Sequence, residues 1–239
     1  MGKKRAASEA ASTGFGVRVL HVDPRQNYGW AGPAATALDD ARQARLAEIV
    51  ARVEGHLSGH RLRHSLSVAE TARRIARAHG VDEFVACAAG LLHDWDKHLS
   101  ADELWEKARR VGLGLHARDD RVTPVLHGMT AAATLPQEFD DLPAEAFQAI
   151  ARHTVGAEGM SALDIVIYCA DMLEPLRGPD LDALRSRAAD PLDVLFAACL
   201  QQNLLYLVKR HRYVYPPCVD VWNAYADRLD ASAGADVAR

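Results

Sequence analysis

The stretch FVACAAGLLHDWDK, residues 84–97, joins the most apolar run of the chain to a histidine–aspartate pair. Its first nine residues are apolar or small on every side, which predicts a helix buried at the centre of the fold. Asp82 suits the N-cap of this helix, which is expected over residues 82–97. Adjacent residues of a helix point about 100° apart, so His93 and Asp94 are predicted to approach one site from different sides.

Helical periodicity continues on both sides of this stretch and predicts an all-α fold. Ser161 and Asp164 have the spacing of a capping box and open a helix that ends before Pro175. The other predicted helices lie near 38–56, 60–79, 100–111, 124–134, 143–154, 191–211 and 217–229. We expect one domain over 38–230, a partly disordered N-terminal extension over 1–37 that begins with a small and polar segment, and a C-terminal tail over 231–239.

The composition agrees with packed helices and narrows the classes of function. The 239 residues are 49% hydrophobic and only 6% aromatic, which favours helices over a β-sandwich. A net charge of −4 argues against a general nucleic-acid surface but is compatible with a small anionic substrate. Neither a secretory signal nor a run of about 20 apolar residues is found, so no membrane partner is expected.

Four cysteines indicate the redox compartment. Cys87, Cys169, Cys199 and Cys218 form no CxxC pair, and at least three lie in apolar stretches that read as helix. Such residues are typical of buried free thiols in a reducing compartment. The sequence therefore predicts a cytoplasmic protein.

Six side chains in helical or apolar surroundings are candidate metal ligands, because buried imidazoles and carboxylates are costly without a partner. Taken singly, each has an ordinary structural alternative: a histidine satisfied in the core, an Asp94–Lys97 surface pair, or an Asp171–Arg177 pair. The six candidates are His64, His93, Asp94, His127, His153 and Asp171.

Taken together, the six offer the imidazole and carboxylate donors that zinc, iron and manganese prefer. Six donors exceed the four of a structural zinc site. Two divalent cations bridged by Asp94 would use all six and leave positions for water and substrate. Such a metal pair is a common device for hydrolysing phosphoesters.

The order His, His-Asp, His, His, Asp resembles the HD superfamily of metal-dependent phosphohydrolases. The blocks GLLHDWDK, LHG, AIARHTVG, MSALDIVIYCADMLEPLR and VYPPCVDVWN are similar to those of its symmetrical bis(5′-nucleosyl)-tetraphosphatases, over about residues 45–225. This resemblance implies an all-helical HD-domain bundle around a di-iron centre, with manganese, cobalt or zinc as alternative metals. It also implies symmetrical cleavage of diadenosine tetraphosphate to two ADP, by attack of a metal-bound hydroxide on a central phosphorus.

The resemblance also implies roles for individual residues. Lys97 would neutralise charge that builds on phosphate, and Thr154 and Gly156 would contact phosphate through a hydroxyl and a backbone N–H. Arg177 would clamp a distal phosphate, with pairing to Glu174 as the structural alternative. One metal would be held by His64, His93, Asp94 and Asp171, and the second by Asp94, His127 and His153.

The chain departs from the family pattern at two places. Trp95 stands where a smaller aliphatic residue is expected, and either repacks the helix or narrows the pocket. The extension 1–37 has no recognised counterpart in the family.

Two other functions stay open beside the tetraphosphatase. One is an HD phosphohydrolase of nucleoside monophosphates, triphosphates or cyclic nucleotides, and the other is a non-catalytic helical module that binds a nucleotide or a protein. The HTxG and EPxR blocks favour the tetraphosphatase. The expected partner is a small-molecule nucleotide rather than a nucleic acid, and a homodimer is left open.

Overall fold

A computed structural model describes residues 38–114 and 118–229 of the chain. These residues form ten α-helices and three short 3-10 helices. The α-helices are α1 Asp40–His56, α2 Gly59–Ala78, α3 Glu83–Leu92, α4 Ala101–Arg110, α5 Thr123–Thr134, α6 Ala144–Arg152, α7 Ala162–Leu173, α8 Asp182–Arg185, α9 Leu192–Lys209 and α10 Pro217–Tyr225. The all-α prediction is confirmed, and the extension 1–37 and the tail 231–239 lie outside the described residues.

Helix α3 lies at the centre of the bundle, as its apolar sequence predicts. It packs against α1, α2, α6 and α7. Gly90 allows the close approach of α2, because a Cβ at this position would come within 2.8 Å of the Ala69 Cα. One continuous hydrophobic core joins these helices.

The side chains that begin the helices follow the sequence signals. The Asp82 carboxylate accepts from the backbone N–H of Phe84 and opens α3. Ser161 and Asp164 form the predicted capping box at the start of α7. The four cysteines are buried and free, as predicted from their spacing. Within the described ranges, no helix is long and apolar enough to cross a membrane.

The prediction that the third helix runs to residue 97 is wrong. The α-helix ends at Leu92, and residues 93–99 form successive turns, such as the one closed by the Lys97 N–H and the Asp94 carbonyl at 2.9 Å. The buried Asp96 carboxylate draws this segment toward α4 and α5. It accepts from Lys107 Nζ at 2.8 Å and from the Thr130 hydroxyl at 2.7 Å.

Trp95 repacks this turn rather than narrowing a pocket. It is 6% exposed. Its ring stacks on His56, with centroids 3.7 Å apart and planes within 8°, and meets the edge of Phe139 at 5.7 Å. It does not belong to the walls of the two cavities described below. Of the two sequence-based alternatives, the structure therefore favours core packing.

Candidate metal centre

The fold brings the six candidate ligands to one place. Each reaches the centre from a different helix or helix end, except for the adjacent His93 and Asp94, which share the turn after α3. Three overlapping groups of these side chains have donor atoms that all lie within 4.8 Å of one another. Those groups are His64, His93 and Asp94; His93, His153 and Asp171; and Asp94, His127 and His153.

At one end of the centre, His64 lies among three other candidate ligands. Its Nε2 is 3.2 Å from His93 Nε2 and 3.0 Å from Asp171 Oδ1. The same nitrogen is 3.8 Å from Asp94 Oδ2. His93 Nε2 is 3.9 Å from Asp171 Oδ1, so the donor atoms of His64, His93 and Asp171 all lie within 4 Å of one another.

At the other end, His127 and His153 meet the second oxygen of Asp94. Their Nε2 atoms are 3.0 Å apart and lie 3.0 Å and 3.7 Å from Asp94 Oδ1. Because Oδ2 faces His64 and Oδ1 faces His127, the Asp94 carboxylate lies between the two ends. This is the position that a bridging ligand requires.

Three of the histidines are oriented by their own backbone. In each, the Nδ1–H donates to the carbonyl three residues earlier, which turns the Nε2 lone pair toward the centre. The pairs are His93 with Gly90 at 2.8 Å, His127 with Pro124 at 3.0 Å and His153 with Ile150 at 2.7 Å.

His64 is oriented by a distant carboxylate. Its Nδ1 is 3.1 Å from Glu174 Oε1, across 110 residues of sequence. Glu174 is 1% exposed, and its other oxygen accepts from the Leu176 N–H at 2.7 Å. This role was not predicted from the sequence, in which Glu174 was only a possible partner of Arg177. Its place in the EPLR block, three residues after Asp171, was the available signal.

Burial and neighbouring groups keep His93, His127 and Asp94 free of protons near neutral pH. Burial lowers the pKa of His93 to about 3 and that of His127 to about 4. Burial acts to raise the pKa of the Asp94 carboxyl. The neighbouring His93, His127, His153 and Lys97 outweigh this effect and hold the pKa well below its usual range.

His64 is the exception. Burial acts to lower its pKa, yet hydrogen bonds with Asp171 and Glu174 raise it to about 9. A proton on His64 would occupy the Nε2 position that faces Asp171. A divalent cation between these groups satisfies the same lone pairs, and the donor set is the one that such cations prefer. The residues present therefore fit a metal centre.

Lys97 and Arg177 stand beside this centre. Lys97 Nζ lies 3.2 Å from His127 Nε2 and 3.9 Å from Asp94 Oδ1, and its side chain is 38% exposed. Arg177 pairs with the Asp171 carboxylate, and its Nε–H donates to the Asp171 carbonyl at 2.9 Å. Of the two partners that the sequence allowed for Arg177, the structure therefore shows Asp171 and not Glu174.

The HTxG block divides into two different environments. The Thr154 hydroxyl is buried without a hydrogen-bond partner among the described residues, and Thr154 lines a cavity beside the centre. The Gly156 N–H instead donates to the Arg152 carbonyl at 2.8 Å. Because this bond occupies the Gly156 N–H, it argues against the predicted contact of that N–H with phosphate. A Cβ on Gly156 would come within 2.9 Å of Phe196, so the glycine is required for packing.

Gly128 is a second residue whose importance was not predicted from the sequence. A Cβ there would come within 2.7 Å of the Ile150 carbonyl and within 2.8 Å of the His153 ring. Only glycine therefore allows α5 to approach α6 closely enough for His127 and His153 to meet. Its position in the LHG block was the available signal.

Comparisons with known proteins agree with this geometry. The family model described as HD domain matches residues 61–195. The symmetrical bis(5′-nucleosyl)-tetraphosphatase of Bacillus subtilis is 29% identical over 74% of this chain and 95% of its own length. The protein of the same name from Staphylococcus aureus is 31% identical over 69% of this chain and 86% of its own length.

A solved structure shows the same fold. The crystal structure of a predicted HD superfamily hydrolase involved in NAD metabolism, from Clostridium acetobutylicum, superposes with a TM-score of 0.67 at 25% identity. The match covers 76% of this chain and 96% of that one. The chain belongs to the HD domain family and, within it, to the family of the symmetrical bis(5′-nucleosyl)-tetraphosphatases.

Proposed function

We propose that this protein hydrolyses diadenosine tetraphosphate, and related dinucleoside polyphosphates, symmetrically to give two ADP. The observation that carries the proposal is the set of inward-facing Nε2 atoms on both sides of Asp94, in a chain whose relatives bear the name of this activity. Water adds across the central P–O–P bridge. Its oxygen bonds to one central phosphorus, and the bridging oxygen leaves with the other ADP.

Two divalent cations are proposed as cofactors, held by His64, His93, Asp94 and Asp171 at one end and by Asp94, His127 and His153 at the other. Bound there, they would ionise water near neutral pH and neutralise charge on phosphate oxygens. Iron is the proposed metal by family resemblance. Manganese, cobalt and zinc are the alternatives, because imidazole and carboxylate donors accept each of them.

The chain's own residues would position the phosphates. Lys97 is close enough to Asp94 to place a positive charge beside a phosphate that lies over the centre. Arg177 would exchange the Asp171 carboxylate for a phosphate when a cation occupies Asp171. The unpaired Thr154 hydroxyl would donate to a phosphate oxygen. Most of the rate would come from positioning and charge stabilisation rather than from a covalent intermediate.

The decisive experiment is product analysis with diadenosine tetraphosphate after anaerobic preparation with iron. ADP as the single nucleotide product supports the proposal. ATP plus AMP would indicate asymmetric cleavage and contradict it. A metal content below about one ion per chain in the same preparation would contradict the two-metal centre and favour a non-catalytic helical module.

Residues 38–230 are proposed as the catalytic domain. A cytoplasmic location is supported by the four buried free thiols, which suit a reducing compartment. A homodimer stays open.

A further inference from the structure

Two cavities of unequal size meet at the candidate metal centre. The larger has a volume of about 650 Å³ and includes His153 and Thr154 in its walls. The smaller, about 330 Å³, includes His64 and Asp94. Both are lined by Lys97, Asp171 and Arg177. A chain of phosphates that runs from one cavity to the other therefore passes over both ends of the centre.

The larger cavity has the walls of a nucleoside site. Its lining includes Tyr206, Tyr213 and Asn203, whose Nδ2 donates to the Tyr168 hydroxyl at 3.2 Å. Tyr213 is 39% exposed, and the Arg121 guanidinium lies 4.6 Å from the centre of its ring. Aromatic rings of this kind bind bases by stacking, which is worth about 1–3 kcal/mol per base in nucleic-acid complexes. An amide can hydrogen-bond to the edge of a base.

The smaller cavity has the walls of a phosphate site. Outside the centre and its supporting Glu174, it offers the cation of Arg61, the imidazole of His60 and the apolar side chain of Leu176. Arg61 is exposed and forms no ion pair within residues 38–114 and 118–229. The volume of the smaller cavity is near the lower end of the roughly 300–1,000 Å³ typical of ligand pockets. Arg61, Lys97 and Arg177 give this cavity three cations, and its lining includes no Tyr, Phe or Trp ring among the described residues, which favours a dianionic phosphate group over a base.

We infer that the two halves of the substrate are recognised differently: the larger cavity binds one nucleoside, and the smaller cavity binds only the phosphates of the other half. This inference rests on the proposed function. It assigns the protein a second activity on mononucleoside tetraphosphates. Adenosine 5′-tetraphosphate and water would give ADP and pyrophosphate, with cleavage of the same central P–O–P bridge and release of a proton to solvent.

The test compares diadenosine tetraphosphate with adenosine 5′-tetraphosphate as substrates of the metal-loaded, full-length protein. We expect kcat/KM values within about tenfold of each other, because the phosphate contacts and one base contact are shared. Tyr213→Ala should reduce kcat/KM for both substrates by about tenfold and weaken competitive inhibition by ADP, since stacking of one base is lost in every case.

Arg61→Ala should reduce kcat/KM for both substrates by the same factor, about tenfold, and leave inhibition by ADP unchanged. Arg63→Ala is the matched control, because Arg63 is an exposed arginine of the same helix that lines neither cavity. It should behave as the unmodified protein.

Two results would overturn the inference while the proposed function stands. The first is a kcat/KM for adenosine 5′-tetraphosphate that is more than about 100-fold lower than the kcat/KM for diadenosine tetraphosphate. The second is a loss in His60→Ala that is confined to diadenosine tetraphosphate, because it would place a second base on this imidazole. Failure of the metal-loaded protein to cleave either substrate would overturn the proposed function and the inference together.

Discussion

The two ends of the candidate metal centre are built in different ways. At the end formed by His127 and His153, here called the local end, each ring is oriented by a carbonyl three residues earlier in its own segment. At the end formed by His64 and Asp171, here called the remote end, the ring is oriented by Glu174, which is 110 residues away in sequence.

The remote end depends on how the segment after α7 is held. Arg185 is 1% exposed, and its guanidinium donates to the carbonyls of Leu173, Glu174 and Gly178 at 2.7, 3.0 and 2.7 Å. These bonds fix the backbone that carries Glu174 and Arg177. The local end therefore follows from helical geometry and close helix packing, whereas the remote end requires a correctly folded distant segment.

Asp94→Ala removes the group shared by both ends and should have the largest effect. We expect metal content to fall toward zero and activity to fall by more than the roughly 10–100-fold typical of an outer-shell change. Metal analysis, product assay and circular dichroism measure the result. Helical content should largely persist, because the core packs around α3 without this carboxylate. A fully active variant would refute the bridging role.

Gly128→Ala should break the local end. The added methyl group would overlap the Ile150 carbonyl and the His153 ring, so the free energy of unfolding should fall by about 1–3 kcal/mol. Metal content should fall toward one ion per chain. Gly55→Ala is the matched control, because a Cβ on this helical glycine meets nothing within 4 Å. If both variants kept full metal and stability, the close approach would have no functional role.

Glu174→Gln should weaken the remote end while preserving the fold, because the amide keeps the shape and an acceptor oxygen but loses the charge that supports His64. We expect a loss of about 10–100-fold in metal affinity or activity, with one ion retained at the local end. Chelator competition measures the affinity. Glu48→Gln, a change at a side chain that is 65% exposed, is the control. Equal affinities in the two variants would contradict the role of Glu174.

Arg177→Ala should have the smallest effect and should separate substrate binding from metal binding at the remote end. Loss of a charge-assisted hydrogen bond to phosphate, worth about 1.5 kcal/mol, should raise KM for diadenosine tetraphosphate about tenfold. The turnover number should change little, and the metal affinity should not fall, because Asp171 loses only a competing cation. An unchanged KM would contradict the phosphate clamp.

Much of the fold followed from local sequence signals. The bounds of most helices agree with apolar periodicity and with the capping residues Asp82, Ser161 and Asp164. The end of α3 could not be predicted, since it depends on the contacts of Asp96 with Lys107 and Thr130, which lie 11 and 34 residues further along the chain. Helical propensity carries no information about such partners.

The kinds of donor atoms and their order along the chain follow from the sequence alone, because a buried imidazole or carboxylate needs a partner wherever the fold places it. The local orientation of His93, His127 and His153 also follows from the sequence, since each bonds within its own turn of backbone. Three features depend on the tertiary structure: Glu174 supports His64, Gly128 leaves space for the His153 ring, and two cavities share Asp171 in their walls. The physical reason is that these contacts join segments whose distance in space is set by the packing of the whole bundle.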